Sequence, residues 1–152
     1  MAPPWRISTW LNTDAPLDLE ALRGRVVAAC AFQMLCPGCV ALAIPQLKEA
    51  HELFSPMDVV VVGLHTVFEH HEAMGVAALR AFVHEYGIRF PVGEDAPSEA
   101  PGGIPQTMAA YAMKGTPTWL LIDRQGRLRL RAFGHLSDLR LGAEIMALIK
   151  EV

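Results

Sequence analysis

At 152 residues, 52 % hydrophobic and 19 % charged, the chain has the size and composition of one folded domain (1–152), with a sheet core covered by helices, and not those of a disordered segment. A formal net charge of −3 lacks the basic excess of nucleic-acid binding. No stretch approaches the roughly 18 apolar residues of a membrane span, and MAPPWRISTW lacks the pattern of a leader; the expectation is a soluble, cytoplasmic protein, periplasmic only if a leader has been removed.

In chain order, Trp5 to about Asp18 reads as an irregular lead-in or small hairpin, and Leu17–Gly24 as a short helical turn ended by glycine. Arg25–Gln33 holds the continuous apolar run Val26–Phe32, the pattern of a strand buried on both faces. From Pro37 to about Phe54 apolar residues recur at helical spacing, with Val40, Ile44, Leu47 and Leu53 on one side and Gln46, Lys48, Glu49 and Glu52 on the other. Asp58–His65 is a second buried strand. Glu72–Tyr86 is a second helix, with Met74, Leu79, Phe82 and Val83 as its apolar face. Ile88–Val92 is a short extended piece, and Glu94–Gly103, rich in Pro, Gly and acidic residues, a surface loop. Pro105–Met113 suggests a short helix. Thr118–Asp123, a tight turn at Arg124-Gln125-Gly126 and the alternating Leu128–Phe133 predict an antiparallel hairpin with one wet face. Ser137 caps a last helix through Leu141, Ile145 and Leu148. This order predicts an α/β fold: a mixed sheet with parallel βαβ units, helices on its faces and a closing antiparallel hairpin.

The chemistry concentrates at Cys36-Pro37-Gly38-Cys39. Three cysteines are too few for a disulfide-stapled scaffold, and two of them form a CxxC pair. Cys36 ends a buried strand and stands at the N-cap of a helix whose first position is Pro37. A helix start offers unpaired N–H groups and positive dipole charge, which favour a thiolate. Cys39 falls on the same helical face, within reach of a disulfide with Cys36. Cys36 is therefore expected to attack a substrate disulfide and Cys39 to resolve the mixed disulfide. Gly38 leaves room for a partner backbone. A structural zinc site would need a second ligand pair at suitable spacing, and the remaining cysteine, Cys30, sits inside a strand. Cys30 reads as a small buried core residue, with a third redox role as the minor reading.

Strand–CPGC–helix, followed downstream by Gly115-Thr116-Pro117-Thr118 leading into a strand, resembles the thioredoxin fold. The likeness covers nearly the whole chain and is closest to the TlpA-like branch of the redoxin group, which includes the alkyl hydroperoxide reductase/thiol-specific antioxidant proteins. WLNTDAPLDLEALRGRVV as an N-terminal extension, an inserted segment before GTPT, and LLIDRQGRLR after it carry that likeness. The resemblance implies a cis proline at Pro117 against the CxxC, with the Thr116–Pro117 backbone pairing with substrate. Three positions depart from the family: Leu35 replaces the usual Trp, Pro37-Gly38 the usual Gly-Pro, and Cys30 a commonly acidic residue six positions before the first cysteine.

His65-Thr66-Val67-Phe68-Glu69-His70-His71-Glu72 follows a strand's C-terminal end, the sheet edge expected to carry CPGC. His65 is a candidate modulator of Cys36, as thiolate tuner or general acid/base. A metal site of His65, His70 or His71 with Glu69 is weighed, but no metal and no cofactor is assigned, and a solvated loop is the favoured reading. His51, His84 and His135 read as structural or surface residues, and Trp5, Trp10 and Trp119 as core packing. Phe32 is expected to form an apolar surround for the disulfide, with Gln33 and Met34 lining the approach. The expected function is thiol:disulfide exchange with protein or small-molecule disulfides and thiols and an unidentified electron donor, by a monomer or weak homodimer. One alternative is a thiol-dependent peroxidase. Its P-x-x-x-T-x-x-C motif would place proline and threonine at Ala29 and Gln33, and neither is present. A non-catalytic binding module is the other.

Overall fold

A computed structural model describes residues 1–151. Its elements are β1 (Ile7–Leu11), β2 (Val26–Phe32), α1 (Ile44–Leu53), β3 (Val59–His65), α2 (Val76–Glu85), β4 (Val92–Asp95), α3 (Gln106–Ala110), β5 (Thr118–Ile122), β6 (Leu128–Phe133) and α4 (Asp138–Lys150). The strands form one six-stranded sheet in the order β1-β4-β3-β2-β5-β6, with β3 parallel to both β2 and β4 and the remaining pairs antiparallel. The mixed sheet flanked by helices is the thioredoxin fold expected from the sequence.

Every residue of β2 is buried, and its alternating side chains feed two cores. Val26, Ala28, Cys30 and Phe32 pack with Leu47 and Ala50 of α1, Leu79 and Val83 of α2, and Leu141, Ile145 and Leu148 of α4. Val27, Ala29 and Ala31 face Leu22, Met108, Tyr111 and Met113, with Trp5 and Trp10 of the lead-in packed alongside. On β6 the alternation is as expected: Leu128, Leu130 and Ala132 are half-buried while Arg129, Arg131 and Phe133 are exposed.

Several boundaries differ from the sequence reading. The lead-in is no local hairpin, because β1 pairs with β4 far along the chain. Residues 19–24 form turns rather than a helix, closed by Gly24 at φ +89°. Glu94 and Asp95 belong to β4 instead of a surface loop. Asp95 is buried because it accepts the Thr107 and Met108 N–H groups at 2.7 and 2.9 Å and the Thr66 hydroxyl at 3.2 Å. α2 begins only after Gly75, behind a separate 3₁₀ turn at His71–Ala73.

The helix that starts at Pro37 widens into a π turn over Cys39–Ala43 before α1. Pro45 explains it, having no N–H to give to the preceding turn and a ring that would crowd the carbonyl four residues back. Gln46, expected on the polar side, is buried and donates to the Leu136 carbonyl at 2.6 Å and Asp138 at 2.8 Å, while Leu53, expected inside, is exposed.

Candidate active site: the cysteine pair at a helix start

Strand β2 ends at Phe32, and the chain turns through Gln33–Leu35, closed by the Cys36 N–H donating to the Gln33 carbonyl at 3.1 Å. The Cys36 carbonyl accepts the Val40 N–H at 3.1 Å, so Cys36 is the N-cap and Pro37 the first helical residue. The N–H of Cys39 points back at the Cys36 sulfur, 3.4 Å away. A helix start therefore supplies both a donor and its dipole to the outer sulfur.

The two thiols are not equivalent. Cys36 is partly exposed, and Cys39 is wholly buried beneath it. Burial, reinforced by its hydrogen bond with Cys36, pushes the Cys39 thiol up to about 12. Cys39 is thus held protonated around pH 7. Cys30 is also wholly buried, and its thiol is pushed well above the ordinary range by desolvation first and by its two sulfur neighbours next. It packs in the same core as Cys39.

The chain before β5 closes the other side. The Thr116–Pro117 bond is cis. The Cys36 thiol donates to the Thr116 carbonyl at 3.6 Å, and a Cβ added to Gly38 would stand 3.9 Å from the Pro117 ring. Cys36, Gly38, Thr116 and Pro117, singled out separately in the sequence, thus meet at one point. Leu35, where the family resemblance would put Trp, stands 56 % exposed just before Cys36.

His65 and Gln33 lie behind this surface, not on it. His65 ends β3 opposite Phe32 of β2, as expected for the C-terminal sheet edge, yet it is fully buried. Its Nε2 accepts the Met34 N–H at 3.4 Å, and its ring packs 5.2 Å from that of Phe32. Burial pushes His65 down to about 4, so the ring is neutral around pH 7 and serves the turn before Cys36 as an acceptor. Gln33, expected to line the approach, is buried: its side-chain Oε1 accepts the Phe68 N–H at 3.2 Å and its side-chain Nε2 donates to Glu69 at 3.4 Å. Together they brace the Gln33–Leu35 turn against the 66–69 segment, a contact between two loops that no local pattern announces. Phe32 is likewise fully buried, packed on His65 and Phe82. His70 and His71 are exposed, and no group of three or more His, Cys, Asp or Glu among the described residues could hold a metal.

A Redoxin family profile matches residues 2–137. The chain belongs to the Redoxin family. A thioredoxin-like superfamily protein of known structure is 53 % identical and superposes with a TM-score of 0.96, covering 99 % of this chain and 97 % of that one. A thiol-disulfide isomerase from Corynebacterium glutamicum is 44 % identical with a TM-score of 0.94, covering 99 % and 98 %. The protein DipZ of Mycobacterium bovis is 31 % identical over 137 residues, 85 % of this chain but 18 % of DipZ, so the chain spans less than a fifth of that relative's length. Fold, family and paired thiols place the chain among the thioredoxin-like thiol:disulfide oxidoreductases. No helix among the described residues is long and apolar enough to cross a membrane.

Proposed function

We propose that the chain exchanges dithiol for disulfide with protein or peptide partners through Cys36 and Cys39. The observation that supports this best is the asymmetry of the pair: an outer, N-cap sulfur facing a helix N–H and the Thr116 carbonyl, above an inner thiol wholly out of solvent. Cys36 as thiolate attacks one sulfur of the substrate disulfide, forming a mixed disulfide and releasing the first substrate thiolate. Cys39 then gives up its proton, attacks Cys36, and releases the second. The substrate disulfide is reduced to two thiols as the pair is oxidised to one disulfide, and the reverse sequence oxidises a substrate dithiol.

Thr116 and Pro117, beside the Cys36 sulfur, present the backbone on which a substrate segment lies. His65 and Gln33 act as positioning residues for the turn before Cys36. The peroxidase alternative gains nothing from the site: at the position of a peroxide-holding threonine stands Gln33, whose side chain is buried and committed to Phe68 and Glu69. Direction and compartment are linked, since a low-potential pair suits a reducing cytoplasm and a high-potential pair an oxidising compartment.

Trapping tests the division of labour. A Cys39→Ser variant incubated with disulfide-bearing peptides is expected to accumulate a stable mixed disulfide at Cys36, and a Cys36→Ser variant none. Equal trapping by both variants contradicts the assignment of attacking and resolving roles.

A further inference from the structure

Next to the Thr116–Pro117 backbone lies a cleft of about 320 Å³ with an unusual charge balance for a chain of net charge −3. Lys114, Arg131 and Phe133 line it, and its wall holds no carboxylate. Phe133 is 59 % exposed, and its ring lies against Gly115, where a Cβ would stand 3.0 Å from it. Neither cation forms an ion pair among the described residues; Arg131 donates only to the Tyr111 carbonyl at 2.9 Å. The other arginines of this strand region differ: Arg127 and Arg129 are both held by Asp123, and Arg129 also by Glu151. Two unneutralised cations and an exposed aromatic ring, beside the segment that carries Thr116 and Pro117, complement an anion.

We propose that this cleft docks an acidic side chain of the protein substrate, and so selects segments whose reacting cysteine has Asp or Glu nearby. The proposal rests on the thiol–disulfide exchange proposed above. Lys114 stands two residues before Thr116, and an extended residue advances about 3.3 Å, so the acidic residue belongs about two or three positions from the substrate cysteine.

The test compares two peptide disulfides that differ only in carrying Glu or Lys at those positions. The native chain and a Lys114→Gln/Arg131→Gln double variant, both changes being at exposed side chains, are assayed for kcat/KM at low and high salt. Binding of the same peptides with serine in place of cysteine is followed through the amide resonances of Lys114 and Arg131. The expected result is an acidic-peptide preference of about three- to tenfold at low salt, lost in high salt and in the double variant. Equal turnover of both peptides overturns the docking proposal and leaves the exchange chemistry standing. If neither peptide is turned over, the exchange reading fails on its own; salt-sensitive binding of the acidic peptide then still supports the cleft, and its absence overturns the cleft too. A preference shown by glutathione disulfide alone overturns the protein segment as occupant.

Discussion

Protonation of His65 should unlatch the turn that carries Cys36, and its linkage to folding has a definite sign. The ordinary value is 6.5 and burial lowers it to about 4 in the native state. Above pH 6.5 neither state holds the extra proton, and the native chain has its full stability. As pH falls from 6.5 towards 4 the unfolded chain takes up a proton that the native chain refuses, so stability is lost; below 4 both states are protonated and the loss is complete. At roughly 1.4 kcal/mol per pH unit of that window, the loss is about 3 kcal/mol. That is a large part of a small domain's stability. Urea denaturation at pH 7 and at pH 4.5 measures it, with His65→Gln as the control that does not titrate and still offers an acceptor to the Met34 N–H. The native chain should lose about 2–3 kcal/mol more than the variant between these pH values. Equal losses would show that the buried imidazole does not carry this pH dependence, and the argument would fail.

Three further outcomes follow from the same packing and hydrogen bonding. Alkylation of the reduced native chain at pH 8, mapped by mass spectrometry, should label Cys36 first, because Cys30 and Cys39 are both fully buried and their thiols pushed upward; labelling of Cys39 at a rate matching Cys36 is the contrary result. Asp95→Ala removes the acceptor of two backbone N–H groups and the Thr66 hydroxyl and should lower stability by about 3 kcal/mol in a denaturant titration, whereas a shift under about 0.5 kcal/mol would refute the role given to that carboxylate. Gly63→Ala places a methyl 3.0 Å from Phe90 and 3.1 Å from Phe32, under the strand end that carries His65, and should cost about 1–3 kcal/mol; an unchanged melting temperature argues against the tight packing described.

The parts of the fold that the sequence displayed are those whose cause is local. β2, β3 and β5 are apolar runs because both their faces are covered, and β6 alternates because only one is. The candidate site was legible for a similar reason: a CxxC at a strand–helix junction and a Thr-Pro before a strand each mark themselves in sequence, and the fold brings them together. What stayed hidden depends on distant partners. β1 is a strand only because β4 offers it an edge, and Asp95 is buried only because the start of α3 presents two N–H groups to it. Gln33 looked like a residue of the approach because nothing local says that Phe68 and Glu69 engage it. Gln46 is buried because its amide reaches the Leu136 carbonyl and Asp138, far along the chain, while Leu53 stands exposed as the last residue of α1.

The central claim is that Cys36 and Cys39 form one reversible redox couple, and equilibrium titration tests it most directly. The chain would be equilibrated across graded glutathione or dithiothreitol buffers, quenched, and its thiols counted by alkylation and mass spectrometry. The account predicts a single two-electron transition confined to Cys36 and Cys39, with Cys30 remaining a thiol throughout, and its disappearance in Cys39→Ser. A chain that forms no Cys36–Cys39 disulfide in any buffer, or whose oxidation pairs Cys30 instead, contradicts it.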